Sequence, residues 1–394
     1  MSKMKEGRKL AFMCAIAYFV SYLTRHNFAA VLAELIDSGI ASDMAALVTT
    51  VGFISYGGGQ LISGVLGDRL PPEKLILAGL FTTSLMNGLL PFCQSAIAMC
   101  VVWGFNGLAQ AMLWPPMVRL LSVLDSREYN RACANVTVGS GVGTIGVYCL
   151  VPLILVISQW QTVFFVCAAA GLLMTIIWGI RIPNILKKME KTEETKKETV
   201  ERDVFPKHLI PTTIFVMFGI IAQGILRDGV TTWTPVYLNQ VYHFETALSI
   251  LISVTIPILS IVGVKVTSKI YNDKIQNEYQ CAFLLFGLAV LCGGILVLPF
   301  SGPIIFALFA ALITACMHGI NIMLITVFPR RFKESGWIST MAGLLNACTY
   351  VGSTIATSGF ERISSQYGWN WVVALWPMVA IVGAIFCFGA YKRK

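Results

Sequence analysis

Charge is scarce in this sequence. Asp and Glu together number 20 and His only 4 in 394 residues, and charged residues make up 12% of the chain, about half the share of an ordinary soluble domain. So few charges cannot solvate a water-soluble fold of this size. Catalytic patterns are missing as well. The 11 cysteines, among them Cys14, Cys133, Cys149 and Cys316, stand singly in apolar runs without CxxC or metal spacing, which reads as core packing. No Ser-His-Asp set or Walker loop occurs, so neither a metal nor a cofactor is expected, and a membrane enzyme has nothing to rest on. Gly141 to Gly146 fits G-x-G-x-x-G but follows no strand and lies inside an apolar run. These glycines, with Gly139 and with Gly57, Gly58 and Gly59, are expected to let helices approach closely.

What the chain does have is apolar length. Hydrophobic residues are 56% and the mean hydropathy is +0.73, spread over the whole chain, so most of it must face lipid. Stretches of about 20 residues, enough to cross a hydrocarbon core as helix, fall at 10–33, 45–66, 74–93, 96–122, 132–157, 160–181, 209–237, 246–268, 279–299, 302–328, 337–361 and 368–391. The basic N-terminus runs into the first span without a small-residue cleavage site, so it reads as a span and not a removed signal.

The net charge of +9 does not point to nucleic acid. Of the 29 Lys and Arg residues, all but Arg25, Arg227 and Arg362 sit in the termini or in every second connection, the positive-inside pattern. Both termini are therefore expected in the cytoplasm, and Asn135-Val136-Thr137 on that same side would escape glycosylation. Residues 182–208, with the run KKMEKTEETKKETVERD, are too polar to bury themselves and read as a cytoplasmic linker between 1–181 and 209–394. The halves repeat: Gly64 to Arg69 closes the second span and Gly263 to Lys269 the eighth, 199 positions on, while Arg25 and Arg227 are 202 apart. Internal duplication of this kind is a transporter signature.

An arginine inside a span costs roughly 2.5–3.5 kcal/mol on insertion scales and normally faces a water-filled cavity. A pair of them at matched depth suits an anion, because guanidinium stays charged and its planar fork fits phosphate or carboxylate oxygens. The competing reading is an internal ion pair. Asp228 is the candidate, but neighbouring helical residues point about 100° apart, so Asp228 is expected not to face Arg227. Tyr18 and Tyr22 share the helical face of Arg25. Tyr56 with Gln60, His318 with Asn321, and Asn346 with Tyr350 are further polar pairs at helical spacing, each open to either cavity lining or an interhelical hydrogen bond.

The run Tyr18-Phe19-Val20-Ser21-Tyr22-Leu23-Thr24-Arg25-His26-Asn27-Phe28 resembles the first helix of the organophosphate:phosphate antiporters of the major facilitator superfamily. Leu226-Arg227-Asp228-Gly229 with Trp233-Thr234-Pro235-Val236-Tyr237-Leu238 resembles their seventh helix, Trp114-Pro115-Pro116 their fourth, and Gly343 to Gly352 with Gly368-Trp369 the eleventh onward. The resemblance implies an all-α membrane protein of the major facilitator fold, with twelve transmembrane helices in two pseudo-symmetric six-helix bundles, a monomer in the cell's cytoplasmic membrane. It also implies inorganic phosphate and an organic phosphate, of the sugar or glycerol phosphate type, as exchanged ligands gripped by Arg25 and Arg227. Asp68 and Arg69 would form a cytoplasmic latch, with Arg127 or Arg131 as partners. Gln60 stands where glycerol-3-phosphate carriers have a lysine, and Val142 near their helix-five histidine, so the remaining cavity differs. A proton-coupled anion symporter using Asp228 or His318, and a membrane organophosphate sensor, are the alternatives.

Overall fold

A helix closes its backbone hydrogen bonds within one segment, as a chain embedded in lipid requires. The computed structural model of the protein describes residues 2–191, 204–244, 252, 255–298 and 302–393, and all regular structure among them is helical. Twelve long helices succeed one another: α1 Ser2–Ala30, α2 Ser42–Arg69, α3 Pro72–Leu89, α4 Ala96–Ala111, α5 Ser126–Ile157, α6 Trp160–Lys191, α7 Ile210–Tyr242, α8 Thr255–Ile270, α9 Glu278–Val297, α10 Pro303–Asn321, α11 Ile338–Tyr367 and α12 Trp369–Lys392.

Where helices end or break, the residues supply the cause. After α4 the chain restarts as a short helix at Trp114–Leu121, because Pro115 and Pro116 have no N–H to give to the preceding turn. The expected linker is partly helix. α6 continues to Lys191 because Ile182, Ile185 and Met189 lie on one face and are buried; residues 192–203 lie outside the described ones, as does part of the expected eighth span. Among the described residues, eight helical stretches are long and apolar enough to cross a membrane. α1, α2 and α11 are diluted by polar residues and the described part of α8 is short.

Two compact units divide the chain, one comprising Met1–Val204 with Phe332–Leu344, the other Phe205–Arg331 with Leu345–Lys394. In the first, α1 packs on α5, α2 on α4 and α3 on α6; in the second, α8 packs on α10 and α9 on α12, and α7 on α11 through Gly224 and Gly352. The same pairing order thus recurs, as the repeated sequence features lead one to expect. An aromatic core in the first unit joins Phe28, Trp103, Trp160 and Phe164, with ring centroids 5.0–6.3 Å apart. In the second, Tyr237 stacks on Phe306 at 4.0 Å.

Glycines set the helix spacing selectively. A Cβ on Gly139 would stand 2.6 Å from the Ala15 carbonyl oxygen, and one on Gly143 would stand 2.6 Å from that of Phe19 and 2.9 Å from the Tyr22 Cβ. α5 therefore lies on the backbone of α1. In α2, Gly59 meets Ala111 and Leu108, whereas Gly58 faces open space, so the three-glycine run is not uniformly a packing device. Gly143→Val is expected to lower the thermal midpoint of the purified protein by the equivalent of about 1–3 kcal/mol through overpacking. Gly58→Ala is expected to leave it unchanged or raise it. Tryptophan fluorescence melts in detergent would measure both.

Candidate functional site

In the first unit, Arg25 is half-buried on α1. Its guanidinium carbon lies 3.7 Å from the centroid of the Tyr56 ring on α2 and 5.6 Å from that of Tyr22. Tyr22 in turn contacts Tyr18 at 5.2 Å, and Tyr18 contacts Trp114 at 5.3 Å. These rings stabilise the cation through their electron-rich faces. A ring covers the face of a guanidinium, whereas its N–H bonds point outward in its plane. A cavity of about 40 Å³ lies beside it, lined in part by Arg25, His26, Tyr56, Asn106 and Gln110. At roughly 10–15 Å³ for each water it holds a few waters, but not a sugar phosphate.

α1 is held by a network that the sequence reading missed. The two amide hydrogens of Gln110 on α4 are shared among the Ser21 carbonyl at 3.0 Å, Thr24 Oγ1 at 2.9 Å and Thr83 Oγ1 at 2.8 Å. Asn87 on α3 donates to the Thr24 carbonyl at 3.0 Å, and Asn27 donates to Asn87 Oδ1 at 2.7 Å. Thr24, Asn27, Thr83 and Asn87 are fully buried. In a low-dielectric interior these bonds are strengthened and their loss is costly. α1 is thereby pinned to α3 and α4 on both sides of Arg25. The signal was present: Thr83 with Asn87, and Asn106 with Gln110, are polar pairs one turn apart in apolar spans.

Gln60 is sealed. It is 0% exposed, and both atoms of its amide lack a hydrogen-bond partner among the described residues. It sits where α2 meets the start of α11, with Gly343 against its carbonyl oxygen.

In the second unit, Arg227 is engaged by the next residue. Its Nε donates to Asp228 Oδ1 at 2.6 Å and its Nη2 to Asp228 Oδ2 at 2.7 Å. The expectation that the two side chains do not face each other is corrected here. The 100° separation applies to the Cβ directions, and the arginine side chain is long enough to curl back across it. Ser353 on α11 also donates to Asp228 Oδ2. His318, half-buried on α10, is within electrostatic range of both charges, and the Tyr350 ring lies 5.8 Å from the Arg227 guanidinium. Asn346, one turn before Tyr350, is buried, and Asn321 is half-buried at the end of α10.

Asp68 ends α2 beyond the apolar span. Its carboxylate accepts from the backbone N–H groups of Ser339 at 2.8 Å and Thr340 at 2.7 Å, so it meets the first turn of α11, and not Arg127 or Arg131 as expected. An anion is favoured at a helix N-terminus, where N–H groups have no partner in their own helix. Arg119 donates to the carbonyls of Gly67 and Leu70 at the other pole, the C-terminal end of α2. Arg69 is exposed. Burial pushes the Asp68 carboxyl up from its ordinary value, against the opposing pull of the Thr340 and Ser339 bonds and of Arg119.

The sequence profile of the Major Facilitator Superfamily matches residues 14–357. The chain is 23% identical to the glycerol-3-phosphate transporter of Bacillus subtilis over 90% of its own length and 85% of that protein's. It is 21% identical to the membrane sensor protein UhpC of Escherichia coli, over 94% and 89% respectively. Its fold superposes on a crystal structure of the major facilitator transporter FucP in the outward conformation, with a TM-score of 0.71 at 12% identity, covering 98% of each chain.

Because burial disfavours the Asp68 charge while the helix end needs an acceptor oxygen, the two substitutions there should differ. Asp68→Ala is expected to lose about 0.5–2 kcal/mol of stability, the range for a lost helix cap. Asp68→Asn, which keeps a neutral acceptor, is expected to stay close to wild type. The raised value also fixes the sign with pH. The contact between Asp68 and α11 binds a proton more tightly than an open Asp68 does, so its stability rises as the pH falls from the raised value towards the ordinary one. Thermal melts of both variants between neutral and mildly acidic pH would test this, and the slope should vanish in Asp68→Asn.

Proposed function

Since the chain belongs to the Major Facilitator Superfamily and is a multi-pass membrane transporter, not an enzyme, we propose that it carries a phosphorylated organic anion of the sugar or glycerol phosphate type in exchange for inorganic phosphate. The observation that carries this reading is the recurrence of one arginine within each half, Arg25 on α1 and Arg227 on α7. Each lies within a long, largely apolar helix, Arg25 beside the rings of Tyr22 and Tyr56 and Arg227 beside that of Tyr350. The likeness to a glycerol-3-phosphate transporter over most of both chains supports the phosphate class.

In this reading the phosphate oxygens take the in-plane N–H bonds of both guanidinium groups, a bidentate match that lysine does not reproduce. Tyr18, Tyr22, Tyr56, His318, Asn321, Asn346 and Tyr350 would shape the remainder of the site. Gln60, where glycerol-3-phosphate carriers have a lysine, would reach it only after α2 and the start of α11 part. Ligand shifts a two-state equilibrium by its differential affinity for the two states. Two like charges brought together without a ligand repel in a low-dielectric site, so a bound anion favours closure and the carrier moves mainly when loaded. The distribution of Lys and Arg supports a cytoplasmic position for both termini.

The resemblance to UhpC supports a second reading, a sensor that binds an organic phosphate with little flux. Counterflow decides between them. Proteoliposomes preloaded with phosphate should show saturable uptake of radiolabelled phosphate, inhibited by phosphate esters. Arg25→Lys and Arg227→Lys should each reduce it at least tenfold, about 1.4 kcal/mol or more of lost interaction. Near-normal uptake by both variants would sink the arginine clamp, and binding without flux in the wild type would favour the sensor.

A further inference from the structure

The two arginines have different neighbours in the chain. After Arg25 comes His26, and after Arg227 comes Asp228. The Asp228 carboxylate takes Nε and Nη2 of Arg227 at 2.6 and 2.7 Å, one edge of the guanidinium fork and the geometry in which arginine receives a bidentate oxyanion. The pair is not sealed in the core. The Arg227 side chain is 13% exposed and that of Asp228 31%, so another anion can reach the carboxylate's position.

Ser353 completes the arrangement. Gly224 and Gly352 bring the backbones of α7 and α11 into contact, where a Cβ on either would run into the Thr349 or Ile221 carbonyl. Ser353 is thereby held against Asp228 and donates to Oδ2. Its single hydrogen has a second acceptor in the Thr349 carbonyl, 3.0 Å away. The bond to Oδ2 does not depend on Arg227, so a carboxylate leaving Arg227 keeps a donor, shared with that carbonyl.

We propose that Asp228 is a tethered stand-in for the substrate phosphate, occupying the fork of Arg227 in the unloaded carrier and, when phosphate arrives, leaving Arg227 while keeping its bond to Ser353. This rests on the reading that Arg227 takes phosphate. Charge balance has two consequences. Incoming phosphate competes with a carboxylate already in place, which weakens binding and speeds release. On the reading that both arginines grip one phosphate, Arg25, Arg227 and Asp228 sum to one net positive charge when unloaded, where two arginines without the carboxylate would sum to two. The repulsion that restrains an empty carrier is thus reduced, and some net transport accompanies exchange.

The test compares wild type, Asp228→Asn and Ser353→Ala in proteoliposomes loaded with radiolabelled phosphate. Two quantities are measured: half-saturation for external phosphate in counterflow, and net efflux into phosphate-free medium relative to counterflow. Asp228→Asn removes the competing charge and should lower half-saturation about tenfold and reduce the relative net efflux. Ser353→Ala takes a donor from the displaced carboxylate and should raise half-saturation severalfold. Opposite signs distinguish a competing anion from a structural ion pair, whose disruption at either residue would weaken phosphate binding in the same direction. Shifts of like sign, or no shift in either variant, overturn the proposal. If Asp228→Asn does not fold, a fall or no change in half-saturation for Ser353→Ala overturns it alone. Phosphate exchange absent in the wild type refutes the phosphate reading itself, and the stand-in with it.

Discussion

A guanidinium group inside an apolar helix is the constraint around which this molecule is arranged. It cannot lose its proton, and the bilayer offers it no water, so the protein must supply either a neutralising charge or a surface that tolerates the cation. The two units solve this differently. Around Arg25 the groups are aromatic, with Tyr56 at 3.7 Å and Tyr22 further off, and a hydrogen-bonded network behind α1 prevents the helix from turning the charge towards lipid. Around Arg227 the first answer is a carboxylate one residue away, steadied from α11 by Ser353. One solution leaves the cation's charge uncompensated by its sequence neighbour, and the other cancels it.

Much of the fold was legible because lipid makes periodicity unnecessary: length and hydropathy alone mark a span. The residues that escaped were those whose role depends on reach. Arg227 and Asp228 were separated by a rule about Cβ directions that a long side chain overrides. Asp68 was matched with other side chains, whereas its partners are two backbone N–H groups 271 and 272 positions away, and the N–H of a helix start carries no residue-specific mark in a sequence. The tyrosines near Arg25 were found only in part by helical spacing, which relates Tyr18 and Tyr22 to it but says nothing of Tyr56 on another helix. Glycine runs misled in the other direction, since of the neighbouring Gly58 and Gly59 one faces space and the other Ala111.

Helix ends show the same economy of charge. Arg119 at the C-terminal end of α2 and Asp68 at the N-terminal start of α11 each lie at the pole that their sign favours. Arg25 and Arg227 meet aromatic rings or a carboxylate, and Asp68 and Arg119 meet backbone, so ionic groups that look alike in composition divide by the partner available where they lie.

The network of Thr24, Asn27, Thr83, Asn87 and Gln110 bears on how the protein is made. A chain built from its N-terminus delivers α1 to the membrane before α3 and α4 exist, so Thr24 and Asn27 arrive ahead of the amides that satisfy them. Lipid offers no temporary hydrogen-bond partner. α1 is thus an unfinished product until α4 has been translated past Gln110, and the machinery that inserts it must hold it in a polar setting for that interval.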